Sequence, residues 1–260
     1  MIKGVHGAFG VPQDAIALGS EFTRTVVNAT NADSIFFDTI DKAVKAHLEL
    51  EYPLAISIRT EDPNDHKSDI PLRNPDFVFS RLGTVLSTPQ ALRLAQRWGL
   101  SIGWKNEFQY MGRFADLEQL FQGFDLFQTL RKYNPYIKKV GPAFVTLGDQ
   151  TEIFNQVRFF TNLCCDFCDL HLHVDDLSTA SKRISEIRKI ITKPLVCWEW
   201  SATEGGVPAM KALYDVLKLN DIEQAAYGPY QWQNKDRFGL VGLVKGTTPT
   251  EFGECFKELS

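Results

Sequence analysis

The strongest constraint on this chain is an alternation. A short apolar run that reads as a strand is followed by a segment with helical spacing, and the pair recurs eight times along 260 residues. The strand-like runs fall at 2–9, 22–28, 54–59, 100–107, 140–147, 168–174, 194–199 and 224–230. The helical patterns fall at 14–18, 34–50, 88–98, 114–133, 151–163, 177–191, 207–219 and 249–259. Ser34 caps a run in which Phe36, Phe37, Ile40, Val44 and Leu48 keep near-helical spacing, and Thr88-Pro89 is an N-cap followed by Pro at the first helical position. Ile184, Ile187 and Ile191 share one helical face. Alternating strand–helix units imply parallel strands. Eight units of about 32 residues each have the usual length of a closed (β/α)8 barrel, the TIM barrel. An open dinucleotide-binding sheet wants GxGxxG after its first strand, and Gly4, Gly7 and Gly10 have the wrong spacing. The expectation is a single α/β barrel domain over residues 1–260. Residues 60–87, rich in Asp, Asn, Pro and Ser, are expected to form a long loop.

Composition narrows the partners. Hydrophobic residues make up 44% and charged residues 23%, enough apolar side chain for a real core. The net charge of −4 comes without a basic run, so no nucleic-acid partner is expected. No apolar stretch reaches membrane length, so no membrane partner is expected either. The N-terminal residues read as a strand and lack a signal peptide's apolar core. With five cysteines, an odd number, this points to free thiols and a cytoplasmic location. Cys165-Asp166-Phe167-Cys168 has CxxC spacing, but it lies where a helix ends and a strand begins. A redox pair needs its first thiolate at a helix N-terminus, so buried inert thiols are expected here. No cofactor and no metal are expected, because the cysteines and histidines lack a complete four-ligand spacing.

In such a barrel, function sits at the C-terminal ends of the strands. Those ends carry His6, Arg24, Arg59, Asn106-Glu107, Thr146, His171, His173, Glu199 and the stretch from Tyr227 to Trp232. Glu107 and Glu199 lie about three units apart, on the fourth and seventh strands, which places them across the barrel mouth. Two carboxylates facing each other across a cleft are what glycoside hydrolysis needs: one protonates the leaving oxygen, the other attacks the anomeric carbon. Glu199 lies between Trp198 and Trp200, an expensive place for an unpaired carboxylate. A nearby rival is Glu204, in Thr203-Glu204-Gly205. Trp104, Trp200, Tyr227, Tyr230 and Trp232 are candidates to stack on sugar faces, though singly such rings more often belong to a core.

At these residues the chain resembles the clan A retaining glycoside hydrolases, the 4/7 superfamily of (β/α)8 barrels. In that group an asparagine and the acid/base glutamate end strand four, and the nucleophile glutamate ends strand seven. Asn106-Glu107 and Glu199 match those places. Arg24 on strand two, His171 or His173 on strand six, Trp232 after strand eight and the 238–244 segment are further likenesses. The chain departs from the group in Phe108, where a Pro or small residue is usual, and in its short length. The resemblance implies cleavage of a β-glycosidic bond in an oligo- or polysaccharide with retention. Glu107 would be the acid/base, Glu199 the nucleophile, Asn106 the partner of the sugar's 2-hydroxyl, and Arg24 the cation that keeps Glu199 ionised. Asp169, His171 and His173 share one strand face by period two and are read as substrate-binding or supporting groups. His6 at the tip of strand one is a further candidate to bind substrate. Two other readings stay open: a non-catalytic carbohydrate-binding barrel with the same cleft, and a metal-dependent barrel hydrolase using His6, His171 and His173.

Overall fold

A computed structural model of the chain describes residues 1–6, 12–30, 34–62, 65–69, 71–104, 117–144, 151–173, 177–201, 206–228, 243–245 and 248–259. The first elements are β1 (Ile2–His6), α1 (Pro12–Ala17), β2 (Phe22–Asn28), α2 (Ser34–Glu49), β3 (Leu54–Arg59), β4 (Glu61–Asp62) and β5 (Asp65–Asp69). There follow α3 (Pro75–Leu86), α4 (Pro89–Arg97), β6 (Leu100–Trp104), α5 (Leu117–Tyr133), β7 (Lys138–Phe144), α6 (Thr151–Cys164) and β8 (Phe167–His173). The last are α7 (Leu177–Arg188), β9 (Leu195–Ser201), α8 (Gly206–Leu219), β10 (Gln224–Tyr227), β11 (Val244–Lys245), β12 (Thr248–Pro249) and α9 (Glu251–Glu258). Eight strands close into a barrel in the order β1-β10-β9-β8-β7-β6-β3-β2, so chain neighbours are sheet neighbours, as the alternation requires. The pairs β4–β5 and β11–β12 form separate antiparallel ribbons. No helix among the described residues is long and apolar enough to cross a membrane.

By its contacts the chain divides into two compact units, Val26–Cys168 and Met1–Thr25 with Asp169–Ser260. In the first unit, β3 reads Leu-Ala-Ile-Ser-Ile-Arg and is buried on both faces up to Ile58, as a parallel strand covered by helices must be. Its register with β6 runs unbroken from Leu54↔Leu100 to Ile58↔Trp104. The loop expected over 60–87 is corrected here: the segment contains the β4–β5 ribbon and the twelve-residue helix α3. Pro75 stands in the first turn of α3, and Val78, Phe79, Leu82 and Leu86 form its buried face. Burying four such side chains, at about 1.5–3 kcal/mol each, outweighs the turn-forming composition upstream. Gly83 is fitted to Tyr133, since a Cβ there would lie 2.5 Å from that ring. Gln122 of α5 accepts from Leu72 N at 2.9 Å and donates to Leu72 O at 3.2 Å, and Asn134 donates to Leu86 O at 2.8 Å. These side chains anchor both flanks of α3. Lys139 Nζ meets Asp166 Oδ2 at 2.8 Å, and Lys139 N donates to the same oxygen at 2.8 Å. Burial pushes the Asp166 carboxyl up, but these Lys139 contacts outweigh it and leave the carboxyl low.

In the second unit the two ends of the sequence meet. Lys3 on β1 is buried and donates through Nζ to Phe256 O at 3.0 Å, to Lys257 O at 3.3 Å and to Leu259 O. Those carbonyls lie at the end of α9, where intrahelical partners run out. Phe22 fills the space left by Gly4, its partner in register, where a Cβ would lie 2.3 Å from the Phe22 ring. The strand β9 carries an irregularity: Cys197 to Trp200 spans three steps against the two from Ala225 to Tyr227 on β10. This is the count of a β-bulge. Beside it, Trp198 N donates to the side chain of Asp169, Oδ1, at 2.9 Å. All five cysteines are buried thiols. Burial pushes the Cys197 thiol well up, which makes it a poor nucleophile.

Candidate active site

The cluster is built by the ends of β1, β8 and β9 and the middle of β2. Along β9, Glu199 faces a polar cluster while its neighbours Trp198 and Trp200 are fully buried. Trp198 donates its indole N–H to Gln224 Oε1 at 3.1 Å, and Trp200 packs on Tyr214 of α8 with ring centroids 5.9 Å apart. The tryptophans therefore fix the strand from behind, and the carboxylate between them is turned to the other side.

Among the described residues, Arg24, His6, His171 and His173 meet Glu199, and they divide between its two oxygens. Oε1 accepts from Arg24 Nη1, and His6 Nε2 lies 3.1 Å from it. Arg24 Nη1 also meets His6 Nδ1 at 2.9 Å. A guanidinium only donates, so Nδ1 accepts and the His6 proton sits on Nε2, facing the carboxylate. His6 and Arg24 are partners in the β1–β2 register, so the sheet itself sets them side by side. Arg24 is fully buried, and its charge is matched by Glu199, which is 13% exposed. A guanidinium and an imidazole N–H on one oxygen favour the ionised carboxylate.

Oε2 faces two imidazoles instead, with His171 Nδ1 at 3.2 Å and His173 Nε2 at 3.6 Å. Each imidazole is held from its far side. His171 Nε2 lies 3.2 Å from Asp169 Oδ2, and His173 Nδ1 lies 2.7 Å from Ser201 Oγ. His171 Nδ1 is close to Oε2 but not aligned to hydrogen-bond with it, and it has no hydrogen-bond partner among the described residues. Nε2 faces the Asp169 carboxylate, which only accepts, so Nε2 carries a proton. Gly228, just past β10, makes room for this arrangement, since a Cβ there would lie 2.9 Å from His6 Cδ2.

Of the residues singled out from the sequence, the structure brings His6, Arg24, His171, His173 and Glu199 into one cluster. Trp200 and Tyr227 stand apart from it. Both are fully buried, their rings 5.0 Å apart, and Tyr227 continues onto Phe252 and Phe256 of α9. As rings packed under helices they belong to the core rather than to a sugar platform, which corrects the expectation for both. Trp104 is likewise fully buried, against Phe79. Asn106, Glu107, Thr146, Glu204, Tyr230 and Trp232 lie outside the described residues. Ser201 and Gly228 were missed in the sequence. Ser201 had a signal, the period of two from Glu199, whereas Gly228 had none short of the register. Asp169 was placed on the right face but given no partner; its carboxylate serves both Trp198 N and His171.

A closed parallel barrel with a polar cluster at its strand ends defines the class, that of (β/α)8 barrel proteins. Solved structures with the same fold can be named. The β-mannanase of Thermomonospora fusca, in its mannotriose complex, superposes with a TM-score of 0.67 at 12% identity, covering 99% of this chain and 88% of that one. A fungal β-1,4-galactanase gives 0.71 at 11% identity, with 99% of each chain covered. A GH128 exo-β-1,3-glucanase from Aureobasidium namibiae gives 0.53 at 17% identity, covering 89% of this chain and 94% of that one. At these identities the likeness is one of fold. No family model matches the sequence, and no curated protein does.

Proposed function

We propose that this chain is a retaining glycoside hydrolase acting on β-linked oligo- or polysaccharides, with Glu199 as its nucleophile. The observation that carries the reading is the division of labour on Glu199. Oε1 is clamped by buried Arg24 and by His6, while Oε2 faces His171 and partly exposed His173. A nucleophilic carboxylate must be ionised and held in a fixed orientation toward the anomeric carbon. Arg24 and His6 act as positioning residues for that state. The place of Glu199, on the seventh barrel strand, and the β-glycan-cleaving barrels that share the fold support the same reading.

In this mechanism Glu199 Oε2 attacks the anomeric carbon as the glycosidic C–O bond breaks. The proton taken up by the leaving oxygen comes from Glu107, the acid/base of the proposal. The resulting glycosyl ester is then cleaved by water, whose proton returns to Glu107, and the sugar leaves with its original anomeric configuration. Asn106 is assigned to the sugar's 2-hydroxyl. His173, partly exposed beside Oε2, is assigned to the substrate side of the cluster.

The test is turnover of β-mannan, β-1,4-galactan, β-1,3-glucan and aryl β-glycosides, with the first-formed anomer read by proton NMR. Retention is expected. Glu199→Ala should abolish turnover, with azide restoring it as the α-glycosyl azide. Glu107→Ala should slow poor leaving groups most, with azide giving the β-product. An inverted first product would overturn the mechanism.

A further inference from the structure

We propose that His171, His173 and Glu199 form a binding site for a zinc-class divalent cation, and that the cation occupies the oxygen with which Glu199 attacks. The three residues each offer one ligand atom, and these atoms lie within 4.8 Å of one another. They come from neighbouring strands, His171 and His173 from β8 and Glu199 from β9, so no spacing along the sequence displays the set.

Two of the three separations match those expected around one ion. Zinc takes imidazole nitrogen and carboxylate oxygen at about 2.0–2.2 Å, so two ligand atoms on a tetrahedral ion stand about 3.3 Å apart. Glu199 Oε2 lies 3.2 Å from His171 Nδ1 and 3.6 Å from His173 Nε2. The second observation is the state of His171. Its Nδ1 is buried, has no hydrogen-bond partner among the described residues and lies 3.2 Å from Glu199 Oε2. A divalent cation at this point would give that nitrogen a partner.

The surroundings are those of a ligand rather than of a chance contact. Asp169 Oδ2 receives the far nitrogen of His171 at 3.2 Å, the carboxylate–histidine arrangement that orients metal-bound imidazoles. Ser201 Oγ lies 2.7 Å from the far nitrogen of His173 and holds its Nε2 toward the same point. The donor set of two imidazoles and a carboxylate selects zinc, copper or nickel over calcium or magnesium. His173 and Glu199 are partly exposed, which gives the ion an entry route. Arg24 holds the opposite oxygen, Oε1, and its charge keeps the site weaker than a dedicated zinc centre.

The site itself follows from the cluster, whereas its consequence rests on the proposed function. A cation on Oε2 blocks attack on the anomeric carbon, so zinc would be a reversible inhibitor competing with sugar. The experiment titrates chelator-treated full-length protein with Zn2+ by calorimetry and with Co2+ by visible absorption. The expected result is one ion per chain with a tetrahedral Co2+ spectrum. His173→Ala, at a partly exposed position, should weaken binding at least tenfold, and Asp169→Asn should weaken it about 10–100-fold while leaving the ligand atoms in place. Circular dichroism and the melting temperature of each variant check folding. The proposal is overturned if no ion binds, or if binding is unchanged in folded His173→Ala, which would put the metal elsewhere. Zinc should also slow turnover, with a chelator restoring it. A protein that binds zinc at this site but never cleaves a glycoside would refute the proposed function and leave the site standing. One that cleaves glycosides but binds no zinc would do the reverse.

Discussion

The Arg24–Glu199 pair gives the sharpest energetic prediction. Arg24→Met removes the donor to Glu199 Oε1 and to His6 Nδ1 in one step, with side-chain length nearly kept. Charge centres about 4 Å apart attract by about 4 kcal/mol at an effective dielectric of about 20. Removing one member of a buried pair costs about 3–5 kcal/mol, because the other charge is stranded. Glu199 is 13% exposed and can take a proton, so Arg24→Met belongs at the lower end, about 3 kcal/mol. Glu199→Gln takes the carboxylate charge away from a guanidinium that is fully buried, and its cost should be at least as large. In the double variant neither charge is stranded, so its loss should fall short of the sum by about 2 kcal/mol. Urea unfolding followed by tryptophan fluorescence measures all four corners of the cycle. Additivity to within about 0.5 kcal/mol would show that Arg24 does not hold Glu199, and the proposed role of Oε1 would fall with it.

Three further predictions use other parts of the molecule. Gly228→Ala places a Cβ 2.9 Å from His6 Cδ2, so kcat/KM should fall about tenfold or more with the melting temperature little changed; unchanged kinetics would remove His6 from the positioning set. Lys3→Met leaves the carbonyls of Phe256, Lys257 and Leu259 without their ammonium, and should cost about 3 kcal/mol in urea unfolding. His47 on α2 donates from Nδ1 to Ala43 O at 2.7 Å, and burial pushes its pKa down to about 4 from 6.5. The folded pKa lies below the unfolded one, so the stability this group contributes is complete above about pH 6.5 and is lost as pH falls toward about 4. The loss should reach about 3 kcal/mol, and His47→Gln should flatten that part of the pH–stability curve.

The barrel was legible because its strands and helices obey different periods. The run from Leu54 to Ile58 and the spacing of Ile184 and Ile187 each admit one reading, and both are buried as that reading requires. The helix α3 was lost because the Asp, Asn, Pro and Ser around it dominate composition, although Val78, Phe79, Leu82 and Leu86 carry the helical spacing. Glu199 stood out by its place between two tryptophans, and Arg24 by resemblance. Trp200 and Tyr227 were misread because an aromatic ring at a strand end looks the same whether it faces sugar or a helix. The irregular β9–β10 register and the packing of Tyr227 on α9 decide that question, and neither is local in sequence. The meeting of His171 and His173 with Glu199 was hidden for the same reason: period two shows which residues share a face, but not what stands opposite them.

The most direct test of the central claim is to trap the glycosyl-enzyme. A 2-deoxy-2-fluoro β-glycoside with a good leaving group, matched to the best substrate found, slows loss of the sugar more than its transfer to the protein. Peptide mass spectrometry then reads which carboxylate carries the sugar. The account predicts one fluoro-sugar per chain, on the peptide containing Glu199, with no label in Glu199→Gln. A sugar found on another carboxylate, Glu204 above all, would contradict the assignment of the nucleophile.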